Sequence, residues 1–366
     1  MKVSTRLQSS NVSSRQQSFG SPGRQVEKSS RISSLDGVRA TSICLVLAAH
    51  MLPLGPSSLE LNGVAALMGM SLFFCLSGFL ITTILHKNPA VFPFVVKRVF
   101  RIFPAVALYL LILLLFFGLP FYSWLLNMLF VSNYVHDGLR VGPVGHLWSL
   151  CVEMHFYLAI SIVVLVMGKR GLWLIPVAAV IITGLRIDAG ATSNIKTHLR
   201  VDEILAGGCL ALASIHYGSS LRRFFGDNRV AFMALVATAG FWFASSYTAF
   251  GNAQMYFRPY AAAMMVGVVI HSDLGRLSRI LEGKVARYIA DTSYALYIYH
   301  PLTIFGFMNS GSAMEKYLLR RPVSFVLTFV LAHLSTYLWE KPWQAFARRI
   351  ISARAEVKNE PNQPSS

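Results

Sequence analysis

The sequence predicts an all-α, polytopic membrane protein with about ten transmembrane helices and both termini in the cytoplasm. Apolar residues make up 54% of the chain and charged residues only 13%, whereas a soluble domain has about 25% charged residues. The mean hydropathy is +0.53. The apolar runs are continuous rather than alternating, which favours helices over the strands of a membrane barrel.

A membrane span needs about 20 apolar residues, and eleven segments of the chain are candidates. They are 36–54, 63–86, 94–118, 122–135, 146–168, 171–186, 201–217, 229–250, 258–272, 287–309 and 322–340. Segment 122–135, YSWLLNMLFVSNYV, is short and polar at its end, so we interpret it as interfacial or re-entrant. Ten spans are then left, an even number that places both termini on one side.

The basic residues predict the orientation of these spans. The loops assigned to the cytoplasm hold Lys87, Lys97, Arg98, Arg101, Lys169, Arg170, Arg222, Arg223, Arg229, Arg276, Arg279, Lys284 and Arg287. The opposite loops hold fewer, apart from the stretch between Arg186 and Arg200. This bias is typical of a multi-pass protein of the cytoplasmic (inner) membrane. It also explains the net charge of +17 without a nucleic-acid partner.

The chain divides into one membrane domain with two basic ends. Residues 1–34 carry six Lys and Arg and one acidic residue, and they lack an apolar core, which predicts a disordered cytoplasmic arm. The arm has no signal-peptide pattern. We expect a transmembrane domain over 35–345 and a cytoplasmic tail over 346–366.

Two ionisable residues share the first predicted span, LDGVRATSICLVLAAH. An ionisable side chain inside a span is costly and is therefore a candidate for function. Arg39 and His50 are eleven residues apart, about 16 Å and roughly three turns along a helix. They are therefore expected on a similar face, at opposite ends of one helix. The alternatives are an arginine that snorkels to lipid head groups and a histidine that lies at the interface.

The second and third spans add small and basic residues. Ser77 and Gly78 in FFCLSGFLITTIL indicate close helix packing. Arg98 and Arg101 in FVVKRVFRIFPA lie at i,i+3 on one helix face. Paired guanidinium groups suit phosphate oxygens, so these two are candidate phosphate ligands. Positive-inside bias alone is the alternative interpretation.

The segment GHLWSLCVEMHFYLA places Glu153 about two turns into the next span, with Trp148 before it. A buried carboxylate needs a partner, and His50 is expected at a similar depth. A carboxylate that orients an imidazole is the usual arrangement of a general base. We therefore predict that Glu153 pairs with His50, with a structural Glu–Arg pair as the alternative.

Polar residues also begin or end two later spans. Arg200 and Asp202 lie in LRVDEILAGGCLAL, and Tyr297 and His300 lie in DTSYALYIYHPL. These four, together with Ser77 and Trp148, are weaker candidates for a substrate site or channel. His300 before a proline has the alternative of marking a helix kink. The four cysteines have no zinc-type spacing, so no metal is expected. We also expect no permanently bound cofactor.

Six of these segments, in order, resemble the acyltransferase-3 family of integral membrane acyltransferases. The matching segments are LDGVRA…AAH, FFCLSGFLI, RVFRIFPA, WSLCVEMHFY, RVDEILAGG and SYALYIYHPL. They run from Leu35 to Leu302, over most of the hydrophobic part of the chain, which extends to about Trp343. This chain has Glu153-Met154-His155 where members often have Glu-Glu-Gln, and Tyr299 where members often have Trp.

The resemblance implies transfer of an acyl group, usually acetyl, from cytosolic acyl-CoA to a hydroxyl, often on a sugar. Acyl-CoA is then the donor substrate, with Arg98, Arg101 and Arg39 holding its phosphates. His50 would act as general base or transient acyl acceptor, oriented by Glu153. The expected partners are a carbohydrate or glycolipid acceptor, membrane lipids and polysaccharide-assembly proteins.

Other interpretations stay open at the level of sequence. Many members of the family carry a hydrolase-like domain after the membrane part, and we expect the membrane domain here or a separate partner to complete the transfer. A small-molecule or amine acceptor is compatible with the same site chemistry. Intramembrane charges also suit a transporter of a small anion or acylated lipid. A non-catalytic subunit would tolerate loss of His50.

Overall fold

The structure is a computed structural model that describes residues 32–135 and 142–359. This part of the chain is helical throughout and contains no β-strand, so the all-α class is confirmed. The predicted arm 1–34 lies outside the described residues except for its last three, of which Ser34 begins the first helix. The predicted tail is helical as far as Asn359, and 360–366 lie outside the description.

The α-helices are numbered in chain order. They are α1 Ser34–Met51, α2 Leu61–Lys87, α3 Val91–Phe116, α4 Phe121–Met128, α5 Trp148–Met167, α6 Leu174–Asp188, α7 Asp202–Phe224, α8 Asn228–Ala244, α9 Arg258–His271, α10 Arg276–Leu281, α11 Lys284–Tyr299, α12 Arg321–Leu334 and α13 Lys341–Asn359. Short π-helical turns at Glu315–Arg320 and Ser335–Glu340 flank α12.

Five helical segments in the described ranges are long and apolar enough to cross a membrane. They are Leu61–Lys87, Val91–Phe116, Gly142–Asp188, Asp202–Phe224 and Glu315–Glu356. The third contains α5 and α6, the fifth contains α12 and most of α13, and α8 is a shorter apolar helix. A multi-pass helical architecture is therefore supported, whereas the ten spans and the cytoplasmic termini stay predictions.

The segment 122–135 contains no helix long enough to span. Its helix α4 has eight residues, about 12 Å of rise, and it starts after Gly118, whose φ is +67°, and Pro120. The chain then turns at Phe130, where φ is +56°. This agrees with leaving 122–135 out of the count of spans.

Helices α1, α2 and α7 are held together by very close backbone contacts. A Cβ atom on Gly78 of α2 would lie 1.7 Å from the carbonyl oxygen of Ile204, and one on Gly207 of α7 would lie 1.9 Å from that of Cys75. Only glycine fits at either position. The close packing predicted from Ser77 and Gly78 is thus confirmed. Helix α2 also packs against α1, and α1 packs against α11.

Gly207→Ala is expected to destabilise the protein, because the added methyl group would push α7 away from the backbone of α2. Overpacking of this kind costs about 1–3 kcal/mol or more. The matched control is Gly184→Ala on α6, where a Cβ atom meets nothing within 4 Å and helix propensity favours alanine by about 1 kcal/mol. Melting of the detergent-purified variants measures both. A Gly207→Ala protein as stable as Gly184→Ala would contradict this packing.

Candidate active site

One face of α1 carries a series of three cavities. Arg39, Val46 and His50 follow one another at helical spacing on this face. Arg39 lines the first and second cavities, Val46 lines the second, and His50 lines the third. The predicted placement of Arg39 and His50, on one face of one helix and at its two ends, is confirmed. We name these spaces the arginine cavity, the constriction and the histidine cavity.

The arginine cavity, of about 50 Å³, gathers three guanidinium groups. Arg39 comes from α1, and Arg98 and Arg101 come from successive turns of α3. The side chain of Arg98 lies over two rings, with its guanidinium carbon 5.6 Å from the centre of Phe94 and 5.7 Å from that of Tyr157. The Nε of Arg98 has no hydrogen-bond partner among the described residues. The cavity is therefore suited to binding an anion.

Glu153 also lines the arginine cavity, next to Arg98. The Ser77 hydroxyl donates a 2.5 Å hydrogen bond to its Oε1, and the Tyr157 hydroxyl donates to the same oxygen. These bonds hold the carboxylate at the arginine end of α1. Ser77 is thus brought to the site, as a partner of Glu153.

The predicted pairing of Glu153 with His50 is wrong. Glu153 is five residues from Trp148, which lines the histidine cavity. Five helical residues rise about 7.5 Å and rotate the side chain by roughly 140°. Glu153 therefore faces a different cavity, and its role in the chemistry stays a prediction.

The histidine cavity, of about 240 Å³, lies at the other end of α1. Its polar wall contains His50, His146, Trp148, Ser193, Asn194, Arg200 and Tyr297. Of the residues predicted at the site, this cavity therefore brings together His50, Trp148, Arg200 and Tyr297. His300 packs behind His50, with ring centres 5.1 Å apart.

Backbone carbonyls orient the two central histidines. Nδ1 of His50 lies 2.9 Å from the carbonyl oxygen of Val46, and Nδ1 of His300 lies 2.8 Å from that of Tyr297. A carbonyl oxygen can only accept, so each Nδ1 must carry the proton. The Nε2 of neutral His50 is then left with a lone pair, as a general base requires. The Val46 carbonyl thus supplies the orientation predicted for Glu153.

His146 completes a group of three imidazoles. Its ring centre lies 5.3 Å from that of His300, and neither of its ring nitrogens has a hydrogen-bond partner in the described ranges. Tyr297 donates a 2.5 Å hydrogen bond to the His146 carbonyl. Within 32–135 and 142–359, no group of three or more His, Cys, Asp or Glu side chains has the geometry to hold a metal ion.

The constriction separates the two larger cavities. Its volume is about 10 Å³, room for about one water molecule. The rings of Phe73 and Tyr297 stack across it, with centres 5.9 Å apart and planes inclined by 14°. Ser293 lines both the constriction and the arginine cavity. An extended ligand could join the two cavities only if these side chains move.

Asp202 is engaged elsewhere. Its carboxylate forms a buried ion pair with Arg186 of α6, so the structure does not offer it to a ligand. Its sequence neighbour Glu203 forms a second buried ion pair. Oε1 of Glu203 lies 2.9 Å from Nε of Arg258.

A family model described as an acyltransferase domain, Acyl_transf_3, matches residues 32–337. The chain belongs to the acyltransferase-3 family. The resemblance inferred from the six sequence segments is thereby confirmed.

Two O-acetyltransferases are distant relatives of this chain. The chain is 25% identical to the O-acetyltransferase OatA of Staphylococcus aureus, over 86% of this chain and 58% of the relative. It is 26% identical to the peptidoglycan O-acetyltransferase OatA of Listeria monocytogenes, over 85% and 55% respectively. The chain thus spans little more than half the length of these relatives. No solved structure matches it.

Several residues that line these cavities were not singled out from the sequence, among them Tyr157, His146, Phe73 and Ser293. Tyr157 stands at i+4 from Glu153, a spacing that places two side chains side by side on a helix, so it was detectable. His146 stood next to the motif that contains Trp148. Phe73 and Ser293 begin two of the matching segments, FFCLSGFLI and SYALYIYHPL, but only the packing of α1, α2 and α11 shows that they line the constriction.

Proposed function

We propose that this protein is a membrane-bound acyltransferase that moves an acyl group, acetyl in the first instance, from cytosolic acyl-CoA to a hydroxyl of a carbohydrate acceptor. The observation that carries the proposal is the row of cavities along α1. It joins an arginine-rich end to a histidine-rich end about 16 Å away. A donor with phosphates at one end and a thioester at the other matches this layout.

The arginine cavity is the proposed entry of the donor. Three guanidinium groups suit the phosphates of CoA, because guanidinium and phosphate form charge-assisted, often paired hydrogen bonds. The positive-inside bias favours the cytoplasm for this end, where acyl-CoA is made. The narrow pantetheine arm would then pass the constriction and present the thioester to His50.

The histidine cavity is the proposed place of transfer. Nε2 of His50 removes the proton of the acceptor hydroxyl as its oxygen attacks the thioester carbonyl. The carbon–sulfur bond breaks, and the leaving thiolate takes the proton from the imidazolium, so that free CoA and an ester are formed. A transient acyl group on His50 is the alternative route, with the same overall balance.

The acceptor is proposed from the relatives. Those compared above are named as O-acetyltransferases, one of them of peptidoglycan, which favours a glycan hydroxyl. Exopolysaccharide, lipopolysaccharide and a glycolipid precursor all present such hydroxyls at a membrane. Polysaccharide-assembly proteins would be the corresponding partners, and the inner membrane the corresponding location.

Loss and rescue of glycan acylation test this function. The gene is deleted, and surface polysaccharide and glycolipid are analysed by NMR and mass spectrometry. Complementation uses wild-type protein and His50→Ala at matched membrane abundance. We expect an ester signal that disappears and returns only with wild type. If glycan esters never change, the carbohydrate acceptor is wrong, and a small-molecule acceptor or transport takes precedence.

Arg101→Gln is expected to raise the KM for acetyl-CoA about tenfold or more. The change removes a positively charged hydrogen-bond donor from the arginine cavity. A hydrogen bond to a charged group contributes about 1.5–3 kcal/mol to binding. The matched control is Lys97→Gln, which removes an exposed cation one turn earlier on the same helix. Initial rates against acetyl-CoA concentration in proteoliposomes give both values. An equal KM in the two variants would show that the arginine cavity does not bind the donor.

A further inference from the structure

A layer of buried charges stands beside the histidine cavity. It contains Arg186, Arg200, Asp202, Glu203 and Arg258, each at most 1% exposed. Three cations thus face two carboxylates, and this set of described residues carries one surplus positive charge. A buried charge without a counter-ion is costly, so the surplus has to be located.

The pairing in this layer leaves Arg200 with the weakest partner. Arg186 is paired with Asp202, and Arg258 donates from Nε to Glu203 at 2.9 Å. Arg200 reaches the other oxygen of Glu203 only at 3.4 Å, which is longer than a normal hydrogen bond. Glu203 is therefore shared, with Arg258 as its closer partner.

Arg200 also carries unused donors at the cavity wall. Its Nε and Nη1 have no hydrogen-bond partner among residues 32–135 and 142–359, and its guanidinium carbon lies 5.5 Å from the centre of the Trp148 ring. Arg200 and Trp148 line the histidine cavity together with His50. A buried hydrogen-bond donor without a partner destabilises the folded protein, and an anion in the cavity would remove that cost.

We propose that the histidine cavity binds an acceptor that carries an anionic group, a carboxylate or a phosphate, and that Arg200 contacts this group. The inference rests on the proposed function, because it takes the histidine cavity as the acceptor's place. The anion cannot be a CoA phosphate, because the constriction of about 10 Å³ lies between the arginine cavity and Arg200. The substrate class is therefore an acidic glycan, such as a uronate-containing or phosphorylated sugar.

Thermal melting of the detergent-purified full chain tests the binding with three defined probes. They are methyl glucoside, which is neutral, glucuronate, which carries a carboxylate, and glucose 6-phosphate, each measured at equal ionic strength. A ligand that binds only the folded state raises the melting temperature. We expect a rise of about 2–4 °C with at least one anionic sugar, at 10–100 times its dissociation constant, and none with the neutral sugar. The two anionic arms distinguish carboxylate from phosphate.

Variants assign the effect to Arg200. Arg200→Gln should lose the rise, Arg200→Lys should keep part of it because it keeps the charge, and Arg101→Gln should keep all of it because it changes the other cavity. Acetyl-CoA is a separate arm, whose rise should survive Arg200→Gln and weaken in Arg101→Gln. A wild-type protein that responds to acetyl-CoA and treats neutral and anionic sugars alike would overturn this inference and leave the proposed function intact.

Two other outcomes also decide the question. No response of the wild type to acetyl-CoA would count against the proposed function itself, whatever the sugars do. An anionic-sugar response that persists in Arg200→Gln would place the anion elsewhere and overturn the inference. If Arg200→Gln does not fold, the wild-type comparison of neutral and anionic sugars and the Arg200→Lys protein still decide it.

Discussion

Replacement of His50 by alanine is expected to lower acyl transfer about 10²–10⁴-fold, the contribution of a positioned general base. His50 lines the largest cavity of the row along α1, and its Nδ1 is held by the Val46 carbonyl. Its Nε2 is thereby left free to take a proton. Alanine removes the base and leaves the helix intact, because alanine is a good helix former.

The measurement is the transfer of labelled acetyl from acetyl-CoA to a glycan extract, catalysed by purified protein in liposomes. The matched control is His155→Ala on α5. Nδ1 of His155 bonds to the Thr197 hydroxyl at 2.7 Å, and His155 does not line the histidine cavity. We expect transfer within about threefold of wild type for this control. If a correctly inserted His50→Ala protein transfers acetyl at the wild-type rate, His50 is not the base.

The helical class and the first helix could be predicted from sequence because both depend on local order along the chain. Continuous apolar runs require helices in lipid, and the spacing from Arg39 to His50 fixes their angle and separation on one helix. The structure confirms both. The number of spans is harder, because α5 and α6 follow each other within one helical stretch of 47 residues, interrupted only at Gly168–Trp173.

The partners of site residues could not be predicted, because they come from other helices. The predicted pairing of Glu153 with His50 depends only on their similar expected depth in the membrane. Depth does not say which neighbour a side chain faces. Ser77 lies on α2 and Arg98 on α3, and both meet Glu153 in one cavity. The surplus charge of the buried layer that contains Arg200 is hidden for the same reason, since Arg258 is 58 residues further along the chain.

The six family segments and the cavities along α1 give different information about the same residues. The pattern of six segments identifies residues without giving their contacts. The contacts then separate them into a group of arginines at one end of α1 and a group of histidines at the other. Neither group alone would favour acyl transfer over anion transport. The row of cavities between them favours acyl transfer, because it leads from guanidinium groups suited to phosphate to an oriented histidine base.

Ser293→Phe is expected to reduce acyl transfer about 10²-fold by closing the passage between the two groups. Ser293 is partly exposed and lines both the constriction and the arginine cavity, so a phenyl ring at this position would fill space that the thioester arm needs. Misplacement of a reacting group by about 1 Å can already cost 10²-fold. We expect kcat to fall much more than the KM for acetyl-CoA rises.

Ser293→Ala is the control, because it removes only a hydroxyl that bonds to the Ala290 carbonyl of its own helix. It should transfer acetyl at close to the wild-type rate. Both variants should still melt at a higher temperature with acetyl-CoA, which separates a blocked passage from a lost donor site. If Ser293→Phe transfers acetyl as fast as Ser293→Ala, the donor does not pass between Phe73 and Tyr297. The two cavities would then be separate sites, and Arg39 would act on lipid head groups rather than on the donor of the reaction at His50.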